Sequence, residues 1–127
     1  MIGPMSKPAL NFLVGVWFLA MGGTTLPARG AVQPVVNREY LPAVLELINN
    51  ATNSIGFVQL ECHGDLTEGR IEAALAAAVK RGVKVRGILD DGVDFNAAAV
   101  ARLRAIGVEV KPDTPVKMTH SKLVVAD

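Results

Sequence analysis

The chain has 127 residues, enough for one domain with a single hydrophobic core. Half of the residues are hydrophobic and 5% are aromatic, which excludes a disordered chain and fits an alanine- and valine-rich α/β domain. The net charge is +1; once Lys7 and Arg29 are set aside with residues 1–30, 11 basic residues face 12 acidic ones. This balance excludes a general electrostatic attraction to nucleic acid or to an anionic membrane.

Residues 1–30 have the pattern of an export signal. Lys7 lies in a region without acidic residues, and an apolar stretch over residues 9–21 follows it. Residues 28–30 form a small-x-small sequence that is typical of a cleavage site. The stretch is shorter than the roughly 20 residues that span a bilayer. We therefore predict a signal peptide and an exported protein, periplasmic or secreted. An uncleaved anchor that associates with the membrane through residues 9–21, or a buried helix, is the alternative.

Residues 31–127 alternate between helical and extended patterns. After a linker over residues 32–40, Pro42 suits the first turn of a helix. The apolar residues that share one face of this helix are Val44, Leu45, Ile48 and Ala51. Residues 55–61 then have the composition of a buried strand.

The second helix has a start and a stop signal. Asp65 and Glu68 have the spacing of a capping box, and Gly82 suits the end of the helix. The apolar face consists of Ile71, Ala74, Leu75, Ala78 and Val79. A strand over residues 83–89 is predicted to follow.

In the last third of the chain, a helix is again predicted to precede a strand. A turn over residues 90–92 precedes a helix over residues 96–106, and a short strand is predicted over residues 108–110. A final extended segment covers residues 116–126. Helices that alternate with strands predict a layered α/β fold.

The sequence closes on His120, Lys122 and Asp127, with the spacing H-x-K-x-x-x-x-D. In a strand, His120 and Lys122 would project from one face, and Leu123 and Val125 from the other, toward the core. A neutral imidazole can attack phosphorus and form a phosphohistidine, while an ammonium stabilises charge on the phosphoryl oxygens. This scheme needs no metal and no cofactor. Asp127 has the opposite parity from His120, so we expect it to tune a turn or make a structural contact.

The motif and the helices and strands before it, over residues 35–127, resemble the N-terminal half of a phospholipase D-like domain. The resemblance implies an α-β-α sandwich and a phosphodiesterase that hydrolyses phospholipid headgroups or nucleic acid. It implies His120 as nucleophile or general acid, Lys122 as phosphate ligand and Asp127 as the third motif residue. Members of the family combine two motif copies, one histidine attacking and the other protonating the leaving group.

One departure from the family pattern affects the expected function. In the family a turn, a strand and a Gly-Ser and Asn segment follow the motif and line the phosphate pocket, whereas this sequence stops at Asp127. The resemblance therefore predicts a domain that is incomplete at its C-terminus. Activity would require a second motif copy, from a homodimer partner or a missing half. A catalytically inactive half-domain or interaction module, and an exported single-motif endonuclease, are the alternatives.

Other candidate residues have ordinary structural interpretations, which we favour. His63 is a substitute general acid or a loop histidine, and Asp90 with Asp91 is a cation site or a solvated turn. Cys62, the only cysteine, excludes an intramolecular disulfide and suits a small apolar position near a strand end. Four basic residues form either a nucleic-acid track or a solvated rim: Lys80, Arg81, Lys84 and Arg86.

Overall fold

The computed structural model describes residues 32–127, so the predicted signal peptide lies outside the described part. A 3-10 turn at Asn37–Glu39 leads into the first helix. The elements that follow are α1 (Tyr40–Asn50), β1 (Ser54–Gln59), α2 (Leu66–Lys80), β2 (Lys84–Leu89), α3 (Asn96–Ala105), β3 (Glu109–Pro112) and β4 (Leu123–Ala126). Within residues 32–127 no helix combines the length and apolarity needed to cross a bilayer.

The four strands form one sheet in the order β3-β2-β1-β4. β1 and β2 are parallel, as are β2 and β3, while β4 runs antiparallel to β1 with Leu123 opposite Val58. β1, β2 and β3 therefore end at the same edge of the sheet at which β4 begins. We call this the carboxyl edge, and the opposite one the amino edge.

The predicted signals at both ends of α2 are confirmed. The Asp65 carboxylate accepts a hydrogen bond from the Glu68 N–H at 2.8 Å, and the Glu68 carboxylate accepts one from the N–H of Gly64. Both bonds satisfy amides that lack partners within the helix. At the other end Gly82 takes a φ of +92°, which a residue with a Cβ rarely adopts, so the chain can turn into β2.

The helices of residues 32–127 pack on one face of the sheet. Burial alternates along β2, where Val85 and Leu89 belong to the core while Arg86 and Ile88 are exposed. The core joins all three helices to this face through Val44, Ile48, Ala51, Ile55, Ala74, Leu75, Ala78, Val83, Val85, Leu89, Ala99, Val100, Leu103, Val108 and Val110. Residues 32–127 thus supply the sheet and one helical layer of the predicted α/β sandwich.

The other face of the sheet is open in the part of the chain described. A broad shallow groove runs across it, and we call it the open face. Its lining residues are Gly56, Phe57, Val58, Arg86, Gly87, Ile88, Glu109, Lys111, Leu123 and Val125.

Pro42 lies in the first turn of α1, as predicted, and the helix begins two residues earlier at Tyr40, where the 3-10 turn runs directly into it. The predicted bounds of the final extended segment are wrong. β4 covers Leu123–Ala126 only, and residues 116–122 form a loop. The remaining boundaries shift by one or two residues.

The predicted facing of β4 is also wrong. Leu123 and Val125 are 52% and 54% exposed, whereas Val124 and Ala126 pack against the core. The register explains this, because Val124 lies opposite Phe57, a residue that packs against the core. Four consecutive small apolar residues do not reveal which alternate pair faces inward.

Candidate functional site

His120 and Lys122 lie at the carboxyl edge, in the exposed segment just before β4. Ligands of open α/β sheets generally bind beyond the carboxyl ends of the strands, so this is a favourable place for chemistry. Because both residues precede the strand, strand alternation does not set the directions of their side chains. The structure brings the two to one solvent-facing edge, and their catalytic roles stay a prediction.

Thr119, the residue before His120, is held by two carboxylates. Its N–H donates to Oδ2 of Asp90, and its hydroxyl donates to Oδ2 of Asp113. Asp90 follows β2 and Asp113 follows β3, so Thr119 is tied to the ends of two neighbouring strands. The bond from the Thr119 hydroxyl, aided by one from the Asp91 N–H, lowers the pKa of Asp113 from its ordinary value. We call Asp90, Asp113 and Thr119 the Thr119 clamp.

Asp90 is not the solvated turn residue that the sequence suggested. It is 2% exposed, and its Oδ1 accepts a hydrogen bond from the Gly92 N–H at 2.8 Å. Its backbone carbonyl accepts from the Asn96 side chain at 2.8 Å. The turn therefore folds inward around Asp90, whose carboxylate satisfies two backbone amides. Buried carboxylates are tolerated when hydrogen-bonded in this way.

Asn96 joins the loops of the carboxyl edge. Its side-chain amide also donates to the Leu60 carbonyl at 2.7 Å, and its oxygen accepts from the Cys62 N–H at 3.0 Å. It is 3% exposed and links the ends of β1 and β2 to the start of α3. Sequence reasoning placed Asn96 only at a helix start, where asparagine is common, so the sequence held no signal for this role.

Asp127 lies at the opposite end of β4 from the other two motif residues. Its carboxylate accepts hydrogen bonds from the Thr52 hydroxyl at 2.8 Å, the Asn53 N–H at 2.9 Å and the Ser54 N–H at 2.8 Å. At about 3.3 Å per residue, the five steps from Lys122 to Asp127 span roughly 16 Å. The structure therefore gives Asp127 the structural contact that its parity suggested, at the amino edge.

The hydrogen bonds to Asp127 have an electrostatic consequence. Bonds from the backbone of Ser54 and Asn53, then from the Thr52 side chain, lower its carboxyl pKa far below the ordinary value. N–H and O–H donors favour the charged form of a carboxylate, so Asp127 is ionised at neutral pH.

The loop after β1 holds His63 and Cys62. His63 stacks on Phe95 with ring centroids 4.0 Å apart, and its Nε2 lies 3.3 Å from a Glu61 carboxylate oxygen. Burial, and then the charge of Glu68, raise the pKa of the Cys62 thiol to about 11, so it is protonated at neutral pH. Cys62 fits its predicted small apolar position, and the contacts of His63 are those of a loop histidine.

Two members of the basic cluster have partners within the domain. Arg81 donates to the Ile48 carbonyl at 3.0 Å, and Arg86 pairs with Glu109 at 3.1 Å. Arg86 and Lys84 are exposed on one face of β2, in line with the alternation of side chains along a strand. These contacts favour the solvated rim over a nucleic-acid track.

The sequence model of the family described as "Cardiolipin synthase, PLD-like domain" matches residues 44–127. The chain therefore belongs to the phospholipase D-like family. Among curated proteins, no sequence matches it.

Solved structures support the same fold. The phospholipase D family member Nuc from Salmonella typhimurium is 27% identical with a TM-score of 0.57, over 68% of this chain and 56% of Nuc. This chain thus spans little more than half the length of Nuc. Polyphosphate kinase from Porphyromonas gingivalis is 22% identical with a TM-score of 0.53, over 70% of this chain and 13% of the kinase, and shares the fold alone. The predicted phospholipase D-like fold is confirmed.

Proposed function

We propose that this chain supplies one half of a phosphodiesterase site, in which His120 acts as nucleophile or general acid and Lys122 binds the phosphoryl group. The observation that carries the proposal is the position of both residues, which lie in the exposed segment before β4 at the carboxyl edge, directly after Thr119 of the clamp. Membership of the phospholipase D-like family supports the same chemistry.

The proposed reaction has two displacements. In the first, an imidazole nitrogen attacks phosphorus, and the new P–N bond forms as the P–O bond to the leaving alcohol breaks. A second, protonated histidine gives its proton to the leaving oxygen. In the second, that histidine takes a proton from water, which attacks phosphorus and breaks the P–N bond. The Lys122 ammonium offsets negative charge on the phosphoryl oxygens in both steps.

One imidazole cannot be the nucleophile and the acid of the same step, so a second motif copy is required. We propose that it comes from a second copy of this chain in a homodimer, or from a second motif-bearing half. An inactive half-domain or interaction module is the alternative, and the open face favours it, since apolar side chains there have no covering layer within residues 32–127.

The substrate is a phosphodiester, and the candidates are a phospholipid headgroup and nucleic acid. Export through residues 1–30 would favour a substrate outside the cytoplasm. A fusion of residues 1–40 to alkaline phosphatase tests export, because the reporter is active only after translocation. An inactive fusion would contradict the export proposal.

The activity test compares the only two histidines of the chain. The full chain, His120→Ala and His63→Ala are assayed on phosphatidylcholine vesicles and on DNA, with and without EDTA. We expect turnover that EDTA does not change, that falls by several orders of magnitude in His120→Ala and that persists in His63→Ala. Metal-dependent turnover, or full activity in His120→Ala, would refute the mechanism. Absence of turnover on both substrates would favour the inactive half-domain.

A mixing experiment tests the second motif copy. The full chain is mixed with increasing amounts of His120→Ala, and the activity per wild-type chain is measured. If each site needs a histidine from both chains of a homodimer, this activity falls in proportion to the wild-type fraction. Independent sites would keep it constant, which would contradict the homodimer.

A further inference from the structure

Hydrogen bonds connect both carboxylate residues of the Thr119 clamp to the ends of the strands. The Asp90 N–H donates to the Gln59 carbonyl at 3.2 Å, so Asp90 is fixed to β1 as well as to β2. The Asp113 N–H donates to the Leu89 carbonyl at 2.9 Å, and Asp113 Oδ1 accepts from the Asp91 N–H at 2.9 Å. In each carboxylate, one oxygen accepts a hydrogen bond from a backbone N–H of the turn after β2, and the other oxygen accepts one from Thr119.

The clamp and β4 hold the two ends of the short segment that carries the motif side chains. Thr119 is bound before it, and Leu123 pairs with Val58 after it. Only residues 120–122 lie between these fixed points. Their backbone therefore has little freedom, although their side chains are exposed.

We propose that Asp90 and Asp113, acting through Thr119, are positioning residues that place His120 and Lys122 against the phosphoryl group. The inference rests on the proposed function of His120. In this role, neither carboxylate contacts the substrate. A displacement of about 1 Å in a reacting group can lower a rate about 100-fold, so anchoring of the preceding residue matters for turnover.

The variants act on one carboxylate of the clamp at a time. Thr119→Val keeps the backbone amide and nearly the same shape but loses the hydroxyl that donates to Asp113, whereas Thr119→Ser retains a hydroxyl. Asp90→Asn weakens the other contact, because a neutral amide replaces the charged acceptor. Arg81→Met is the control for stability, since it removes hydrogen bonds to the Ile48 and Ala51 carbonyls at the amino edge.

The kinetic test separates positioning from substrate binding and from folding. We expect kcat to fall roughly 10- to 100-fold in Thr119→Val and Asp90→Asn with KM changed less than threefold, and Thr119→Ser to recover most of it. Arg81→Met should lower the denaturation midpoint without this loss of kcat. Values of kcat within twofold of wild type in both Thr119→Val and Asp90→Asn would overturn the inference.

A measurement without turnover distinguishes failure of the inference from failure of the proposed function. Amide hydrogen exchange at Thr119 and the heteronuclear NOE at His120 are compared between wild type, Thr119→Val, Asp90→Asn and Arg81→Met. We expect faster exchange and a lower NOE in the two clamp variants only. If wild type lacks turnover, the proposed function fails and these data decide whether the clamp orders the segment. Unchanged exchange and NOE would overturn the clamp in either case.

Discussion

At the residue scale, Asp127 connects the end of β4 to the loop that precedes β1. Its carboxylate has donors from three consecutive residues, Thr52, Asn53 and Ser54, and its own N–H donates to the Ser54 carbonyl. These hydrogen bonds continue the antiparallel pairing of β1 with β4 to the amino edge. Asp127 therefore holds β4 at the end opposite to the one that His120 and Lys122 precede.

The lowered pKa of Asp127 predicts how stability depends on pH. In the unfolded chain an aspartate titrates near about 3.9, so the unfolded state binds this proton at a higher pH than the folded state. The stabilisation from ionised Asp127 is therefore present above the unfolded pKa and is lost as the pH falls toward the folded one. We expect Asp127→Asn to be less stable than wild type at pH 7, with a difference that narrows below about pH 4.

Urea unfolding at pH 7, 5, 4 and 3 measures this difference. Asp94→Asn, which changes an exposed aspartate in the loop after β2, is the matched control, and its stability should stay near wild type at pH 7. A constant difference between Asp127→Asn and wild type across this range would contradict the prediction.

At the element scale, the aromatic ring of Phe57 in β1 packs against Gly87 in β2. Gly87 pairs with Phe57 in the parallel register, and a Cβ built on Gly87 would lie 2.2 Å from the Phe57 ring. The ring thus occupies the space that a side chain at Gly87 would fill. A Cβ built in the same way on Gly56, the residue before Phe57, would have no atom of residues 32–127 within 4 Å.

This contact predicts that alanine lowers the stability at one glycine and not at another in the adjacent strand. Gly87→Ala should push the Phe57 ring out of its place against the core and lower the free energy of unfolding by about 1–3 kcal/mol. Gly56→Ala, the control, should change it by less than about 0.5 kcal/mol, because the new methyl group meets open space. The double variant Gly87→Ala with Phe57→Leu should recover part of the loss. Equal stability of the two single alanine variants would contradict the prediction.

The elements of this domain were largely predictable, because their signals are local. Asp65, Glu68 and Gly82 mark both ends of α2 within its own sequence, and polar and apolar residues alternate at the start of β2, which distinguishes its two faces. The facing of β4 was not predictable, since LVVA is apolar at every position and only the register with Phe57 selects Val124. Sequence patterns predict the buried face of an element whose polarity is periodic, but they do not predict which face of a uniformly apolar strand is buried.

The candidate site was predictable only in part. The spacing of His120 and Lys122 suffices to single out both residues. Their supports were missed because Asp90 and Asp113, which lie 29 and 6 residues before Thr119, follow β2 and β3 and do not share a helix or a strand with Thr119. Such contacts arise from the order of strands in the sheet, which the sequence pattern alone does not fix.

At the scale of the whole molecule, the open face is the feature with the clearest consequence. Ile88, Leu123 and Val125 are 43%, 52% and 54% exposed there, next to the charged side chains of Arg86, Glu109 and Lys111. A contiguous apolar patch with a polar rim is typical of surfaces that associate. The order of the sheet adds to this tendency, because among residues 32–127 β4 is an edge strand, and an edge strand has backbone groups without strand partners.

We therefore expect the full chain to self-associate with increasing concentration through the open face. Leu123→Gln should lower this association, and Leu66→Gln is the matched control, because Leu66 is 91% exposed at the start of α2 and does not line the groove. Sedimentation velocity over a range of concentrations measures the change. A discrete dimer would favour the proposed homodimeric enzyme, whereas heterogeneous aggregates would favour the inactive half-domain. Equal association in Leu123→Gln and Leu66→Gln would exclude Leu123 as a contact and assign the association to another surface.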